Sequence, residues 1–373
     1  MTALTGRPRP GFEDAASAFI KPAVRAQPAY TLAAHAAPRK LNQNESPFDV
    51  PAELKRVICE RAMALPWQRY PAFAPQSLLD RLSREYHWPA DGILVGNGSN
   101  ELIQATLATT LGPGDTVLAP SPTFSLYRLL ANVSGARYLP VPFGPGYSYD
   151  VDLLIGAAQR EQAKVIVLNS PNNPTGSALP EGGVARLLAE TNALLVLDEA
   201  YQDFGGPSAL PLLHESDRLI VLRTFSKALG MAGLRFGFAF GAPAVMTEVA
   251  KGKLPYNVNV FTLTAAEVML DHLDLRREHI ARIIQTRDHT LARLRDLPDV
   301  TVYPSAANFI LIRFELVPAR TVFGRLLNEH GILVRDVSAA LEPAECLRIS
   351  VGTDEDMDAV IGALGVILRP GAL

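Results

Sequence analysis

Four apolar runs in this chain end in residues able to do chemistry. The run Leu219-Ile220-Val221-Leu222 leads into Thr224-Phe225-Ser226-Lys227, with Gly230, Gly233 and Arg235 beyond it. A lysine flanked by hydroxyls and followed by an arginine combines an amine nucleophile with donors suited to a phosphate. Lysines are usually surface residues, and that reading stays open for Lys227 taken alone. The run Leu194-Leu195-Val196-Leu197 ends in Asp198-Glu199-Ala200-Tyr201. A carboxylate at the tip of an apolar strand is costly to bury without a cationic partner, for which a protonated pyridine nitrogen would serve. A metal ligand or a helix cap is the other reading of Asp198.

The run Val165-Ile166-Val167-Leu168 opens into Asn169-Ser170-Pro171-Asn172-Asn173-Pro174-Thr175-Gly176. Two prolines and a glycine stiffen this turn, and the Asn173 amide can donate to a ligand oxygen; a plain turn has the same composition. Finally Ile93-Leu94-Val95 runs into Gly96-Asn97-Gly98-Ser99-Asn100-Glu101 and then an apolar helix over 102–111. Glycines let backbone approach a ligand closely, and a helix N-terminus offers unpaired N–H groups, so a phosphate fits there. The third glycine of a dinucleotide fingerprint is absent, and an ordinary strand-to-helix turn with Ser99 as N-cap is the more common source of such a stretch.

These tips need a scaffold that brings them together. Continuous apolar runs separated by helical patterns predict an α/β fold, a mostly parallel sheet covered on both faces, and sites in such sheets lie beyond the carboxyl ends of the strands. After Val260 the pattern becomes one long helical stretch to about residue 297, then a strand over 308–314, a helix over 321–329, short strands near 333–334 and 347–349, and a final helix. That is a smaller α+β unit, expected to leave a cleft against the large one. The expected division is an N-terminal arm over 1–22, a large domain over 46–275, and a small domain from 23–45 and 276–373. A length of 373 residues suits two such units.

Composition excludes several classes. The net charge is -3, from 35 basic and 38 acidic residues without a basic block, so neither nucleic acid nor an anionic membrane is an expected partner. Two cysteines without paired spacing and seven histidines without ligand spacing give no disulfide framework and no metal site. No apolar run reaches the length of a membrane span and no signal-peptide core is evident, so a reducing cytoplasm is the expected location.

Taken together and in order, the four tips resemble the fold-type I pyridoxal-phosphate aminotransferases, over nearly the whole chain from about Tyr30. The resemblance implies pyridoxal 5'-phosphate as cofactor and a role for each matching residue. Lys227 would form the Schiff base and carry the proton between substrate and cofactor. Asp198 would keep the pyridine nitrogen protonated, so that the ring acts as an electron sink. Asn173 and Tyr201 would donate to the phenolic oxygen. Gly98, Ser99, Asn100, Thr224, Ser226 and Arg235 would form the phosphate cup, and Phe124 would stack on the ring. Tyr70, in Arg69-Tyr70-Pro71, would reach the partner subunit's cofactor, which implies a homodimer.

Within that superfamily the chain is similar to the histidinol-phosphate aminotransferase branch. The likeness lies in Leu41-Asn42-Gln43-Asn44-Glu45-Ser46-Pro47, in Lys253-Leu254-Pro255-Tyr256-Asn257-Val258-Asn259, in Gly331-Ile332-Leu333-Val334-Arg335-Asp336 and in Leu347-Arg348-Ile349-Ser350-Val351-Gly352-Thr353. It implies that Arg348 binds the α-carboxylate of glutamate and that Arg335 meets the substrate phosphate, with Tyr30 and Tyr256 as further substrate contacts. The branch pattern often has Asp where Asn100 stands and Tyr where Phe124 stands. Aromatic amino-acid aminotransferases and a threonine-phosphate decarboxylase share most of this framework and are the rival readings.

Overall fold

Strands form where β-branched residues and leucines leave no polar face. The computed structural model describes residues 18–27 and 35–369. In chain order it gives β1 (Arg39–Lys40), α1 (Ala52–Met63), α2 (Gln76–Tyr86), β2 (Ile93–Asn97), α3 (Ser99–Thr110), β3 (Thr116–Ser121), α4 (Leu126–Ser134) and β4 (Arg137–Pro142). There follow α5 (Val151–Arg160), β5 (Val165–Asn169), α6 (Gly183–Glu190), β6 (Leu194–Asp198), β7 (Leu219–Thr224) and β8 (Phe236–Phe240). Strands β2 to β8 make one sheet in the order β2-β8-β7-β6-β5-β3-β4, in which only β8 runs antiparallel to its neighbours.

Alternate residues of the central strands enter different cores. Ile166, Leu168, Leu195, Leu197, Leu219 and Val221 pack on one face, while Val165, Val167, Val196, Ile220 and Leu222 pack on the other. Both faces are therefore covered, as the unbroken apolar runs require. Two strands escaped the sequence pattern. Strand β4 lies at the sheet edge and is half exposed, and β8 alternates Phe with Gly and Ala. The latter follows β7 without a crossover helix, which an antiparallel neighbour does not need.

The expected single helix after Val260 is two, α8 (Val260–Leu270) and α9 (Leu273–Arg295), preceded by α7 (Pro243–Ala250). Asn259 caps α8 by accepting from the Thr262 N–H at 2.9 Å, and His272 (φ -128°, ψ 44°) breaks the path between the helices. A four-stranded antiparallel sheet follows, ordered β12-β13-β10-β9, from β9 (Val300–Val302), β10 (Phe309–Phe314), β12 (Arg335–Asp336) and β13 (Cys346–Ser350). Helices α10 (Ala319–His330) and α11 (Asp354–Ile367) pack with it. Strand β11 (Ile332–Leu333) pairs instead with β1, in parallel, Arg39 opposite Ile332 and Lys40 opposite Leu333. The core under the small sheet takes in Leu41, Tyr201, Phe204 and Ala228, so the tips of β6 and β7 are packed against it. No helix among the described residues is long and apolar enough to cross a membrane.

Beneath the tips of β6 and β7 lies a buried ion pair. Arg223 Nη2 is 2.7 Å from Glu199 Oε2, with side-chain exposures of 6% and 0%. The Ala209 N–H (2.7 Å) and the Ser208 hydroxyl (3.1 Å) complete the carboxylate's partners. Glu199→Ala removes the nearest partner of Arg223 and leaves it Asp203, 3.4 Å from Nη1. The substitution is expected to cost about 3 kcal/mol, the lower end for a broken buried pair, checked by urea unfolding of both proteins at neutral pH.

Candidate active site

The strand ends converge on a cavity of about 640 Å³ between the large sheet and the small one. Strands β5, β6 and β7 are neighbours, so the segments after them bring Asn173, Asp198, Tyr201 and Lys227 to one wall. Ser99, Asn100, Phe124, Thr224, Ser226, Arg235, Arg335 and Arg348 line the same space. Gly98 borders it through Arg235. Two predicted residues lie elsewhere in this chain: Tyr70, 81% exposed, stacks on Tyr256 with ring centroids 4.7 Å apart. Tyr30 lies outside the described residues.

Asp198 sits at the last position of β6 and is buried. Its Oδ2 accepts from the Tyr127 hydroxyl at 2.8 Å and its Oδ1 from the Ala200 N–H at 3.0 Å. Burial raises its pKa, and these two hydrogen bonds work against that. No ion pair to a described residue balances it. A buried carboxylate held by two donors, facing a cavity, matches a cation carried by a ligand, and a protonated ring nitrogen fits that description. Among the described residues no group of three potential metal ligands occurs, the other chemistry considered for Asp198.

Lys227 points its Nζ at the Gln43 carbonyl, 3.0 Å away. Removal from water brings the pKa of this amine from 10.5 down to about 7; Arg348 and Arg235 push the same way, while Glu45 and Asp198 oppose them. Near neutral pH a large share of the amine is therefore unprotonated, as a nucleophile and proton carrier requires.

The opposite end of the cavity collects donors, and the nearby Glu101 carboxylate accepts from the Asn97 N–H at 2.6 Å. Helix α3 starts at Ser99 and its N-cap is Gly98, with no side chain capping it, which corrects the reading of Ser99 as N-cap. Gly98 has φ +78°, and a Cβ there would come within 2.3 Å of Arg235 Nη2. A Cβ on Gly237 would likewise meet the Ser99 nitrogen at 2.3 Å, so this glycine lets β8 pass directly beneath the turn. Arg235 Nη1 donates to the Ser226 hydroxyl at 3.2 Å, and the Thr224 hydroxyl accepts from the Ser226 N–H at 3.1 Å. A guanidinium, hydroxyls and an uncapped helix N-terminus make a cradle of phosphate chemistry and size.

The third wall comes from residues 42–44. Arg348 Nη2 donates to the Asn42 carbonyl at 2.9 Å, and its Nη1 donates to Asn173 Oδ1. Asn44, left-handed at φ 54°, donates from Nδ2 to the Tyr201 hydroxyl at 3.0 Å, and its own N–H donates to the Ser350 hydroxyl at 2.7 Å. Arg335 faces Arg348 across the β12–β13 pair, in register. Sequence reasoning gave no role to Gln43, Asn44 or Tyr127. The segment holding Gln43 and Asn44 stood out only by its likeness to a branch pattern, and Tyr127 reads as an ordinary helix-face aromatic.

The pattern of the family described as aminotransferase class I and II matches residues 39–364. The chain belongs to that family, the class to which the large parallel sheet and the lysine–aspartate cavity also point. Its relatives narrow the likeness. The chain is 38% identical over 349 residues to the histidinol-phosphate aminotransferase of Chlorobium phaeovibrioides, covering 93% of this chain and 96% of that protein. It is 39% identical to histidinol-phosphate aminotransferase 2 of Bordetella parapertussis, covering 94% and 96%. The fold matches the crystal structure of the Sinorhizobium meliloti histidinol-phosphate aminotransferase in complex with pyridoxal-5'-phosphate, at a TM-score of 0.84 and 24% identity over 98% and 99% of the two chains.

The lowered pKa of Lys227 has a direct readout. In the cofactor-free protein, acylation of Lys227 by an amine reagent is expected to rise with pH, reach half its maximum near pH 7 and level off well below pH 10. An ordinary lysine would keep gaining reactivity beyond pH 10. Peptide mass spectrometry of partially labelled protein reads the difference.

Proposed function

We propose that the chain transfers the amino group between L-histidinol phosphate and glutamate, using pyridoxal 5'-phosphate: L-histidinol phosphate + 2-oxoglutarate = imidazole-acetol phosphate + L-glutamate. The observation that carries this reading is the pair Arg335 and Arg348. They lie opposite one another in register and line the cavity that holds Lys227 and Asp198. One site must take a carboxylate from one substrate and a phosphate from the other in alternate half-reactions, and two guanidiniums suit that need better than an apolar slot. The relatives' names point to the same reaction, in histidine biosynthesis.

When bound, pyridoxal phosphate supplies an aldehyde that takes up the amino group and a ring that accepts the electrons of the bond broken at the substrate carbon. The chain's own groups divide the remaining work. Lys227 holds the cofactor by its Nζ between turnovers and moves the proton at the substrate carbon, for which an amine with a pKa near 7 is suited. Asp198 keeps a proton on the ring nitrogen, and Asn173 and Tyr201 donate to the phenolic oxygen. Ser99, Ser226, Arg235 and the start of α3 hold the phosphate, with Gly98, Asn100 and Thr224 shaping the cup. Phe124, which lines the cavity, would cover a face of the ring and exclude water from it. Arg348 binds the glutamate carboxylate, and Arg335 and Tyr30 meet the phosphate of the other substrate.

Tyr70 completes a neighbouring subunit's site in this reading, with Tyr256 a substrate contact beside it, so the chain acts as a homodimer. The support is an exposed aromatic cluster: Tyr70 stacked on Tyr256, and Phe73, 72% exposed, edge-on to Tyr256 at 5.8 Å. Such surface is expensive to leave in water. The same proposal takes 46–275 as the large domain and 23–45 with 276–373 as the small one. It places the enzyme in the cytoplasm.

Two experiments test the reading. Asp198→Asn is expected to slow turnover on the order of 10³-fold, several kcal/mol of barrier, and Lys227→Ala to abolish it; steady-state assays with glutamate read both, and wild-type rates in either variant would overturn the roles. Mixing the yellow holoenzyme with L-histidinol phosphate is expected to bleach its visible band within one turnover, whereas L-phenylalanine leaves it slow to change. A faster response to phenylalanine moves the enzyme to the aromatic branch, and released carbon dioxide moves it to the decarboxylases.

A further inference from the structure

Tyr127 stands three residues beyond Phe124, in the first turn of α4, and is fully buried. Its hydroxyl donates to Asp198 Oδ2 at 2.8 Å, and its ring meets Phe124 edge-on, centroids 5.6 Å apart at 90°. One side chain thus touches both the acid at the tip of β6 and the aromatic wall beside it. We propose that Tyr127 is a positioning residue that decides where the proton shared by Asp198 and the cofactor's ring nitrogen resides, an inference that rests on the reading of Asp198 given above.

A proton between a carboxylate and a ring nitrogen has two homes. On nitrogen it leaves an ion pair; on oxygen it leaves two neutral groups. In a site withdrawn from water the neutral pair gains, because neither member is then a buried charge. Donors to the carboxylate favour the ion pair. Asp198 has two: the Ala200 N–H, which the backbone supplies, and the Tyr127 hydroxyl. A hydrogen bond to a charged acceptor is stronger than one to a neutral acceptor, so the phenol rewards the arrangement with the proton on nitrogen. That arrangement alone makes the ring a strong electron sink.

The surroundings keep Tyr127 a donor. Burial and the neighbouring Asp198 push its ionisation far up. The other ionisable groups acting on this carboxylate are Glu199, Lys227 and Tyr149, and the Tyr149 hydroxyl donates instead to the Asn169 carbonyl.

The test compares wild type with Tyr127→Phe, which keeps the ring and its contact with Phe124, after loading both with pyridoxal phosphate carrying ¹⁵N at the ring nitrogen. The wild-type nitrogen signal is expected at the protonated position and the variant's displaced toward the unprotonated one. The variant's kcat should fall roughly tenfold, with the KM for glutamate within about twofold and a melting temperature close to wild type. An unchanged nitrogen signal in Tyr127→Phe overturns the proposal, whatever the rate does. Replacement of Tyr127 by 3,5-difluorotyrosine keeps shape and donor and should retain the wild-type signal; a displaced signal there also overturns it. A wild-type protein that takes up no cofactor would instead defeat the aminotransferase reading itself.

Discussion

A carboxylate buried at the end of a parallel strand must be compensated by whatever surrounds it, and Asp198 organises this site in that sense. Its strand lies between β5 and β7, so the turn bearing Asn173 and the segment bearing Lys227 flank it by sheet order alone. Donors reach it from its own backbone, at Ala200, and from the start of α4, at Tyr127. In the proposed function the remaining compensation is a cation brought by the ligand. An acid stabilised only in part by the protein is poised to prefer a molecule that carries a positive charge at that place.

The other end of the cavity solves the reverse problem. Arg235, Ser226 and the start of α3 gather donors there, with the first-turn carboxylate of Glu101 taken up by the Asn97 N–H and Asn257, and they come together only because Gly98 and Gly237 have no side chains. The cavity is therefore polarised, acid at one end and donors at the other. Lys227 lies between them and feels both, and the balance of these charges, added to its removal from water, leaves its amine half titrated near neutrality.

Local pattern made much of this legible. Each central strand announced itself as an unbroken apolar run, and Asn173, Asp198 and Lys227 lay at or just after their ends, because open α/β sheets put sites beyond strand ends. What stayed hidden depends on contacts distant in sequence. Asn44 owes its importance to a backbone turn at φ 54° and to partners at Tyr201, Asn308 and Ser350, none of which a window around residue 44 contains. Tyr127 looked like one more apolar position on a helix, and its hydroxyl acquires meaning only when β6 lies beneath it. Strand β8 failed to register because Gly237, needed for the close approach to Ser99, and Ala239 dilute the apolar signal. The helix break at Asp271-His272 left no proline or glycine to mark it.

The pairing of β1 with β11 has a consequence for how the molecule is made. Residues 39–44 emerge early from the ribosome, yet several of the groups they bind emerge almost last: Arg39 and Lys40 pair with Ile332 and Leu333, Asn42 receives Arg348, and Asn44 meets Ser350. The seven-stranded sheet is complete in sequence by Phe240 and can assemble while the rest is still being synthesised. The early segment must wait, solvated, until its distant partners arrive, because contacts so far apart in the chain form slowly. A nascent chain halted before residue 332 contains Lys227, Tyr201 and every strand of the large sheet, so Gln43 and Asn44 have those partners, but the strand β11, Arg348 and Ser350 that hold the same segment from the other side are missing.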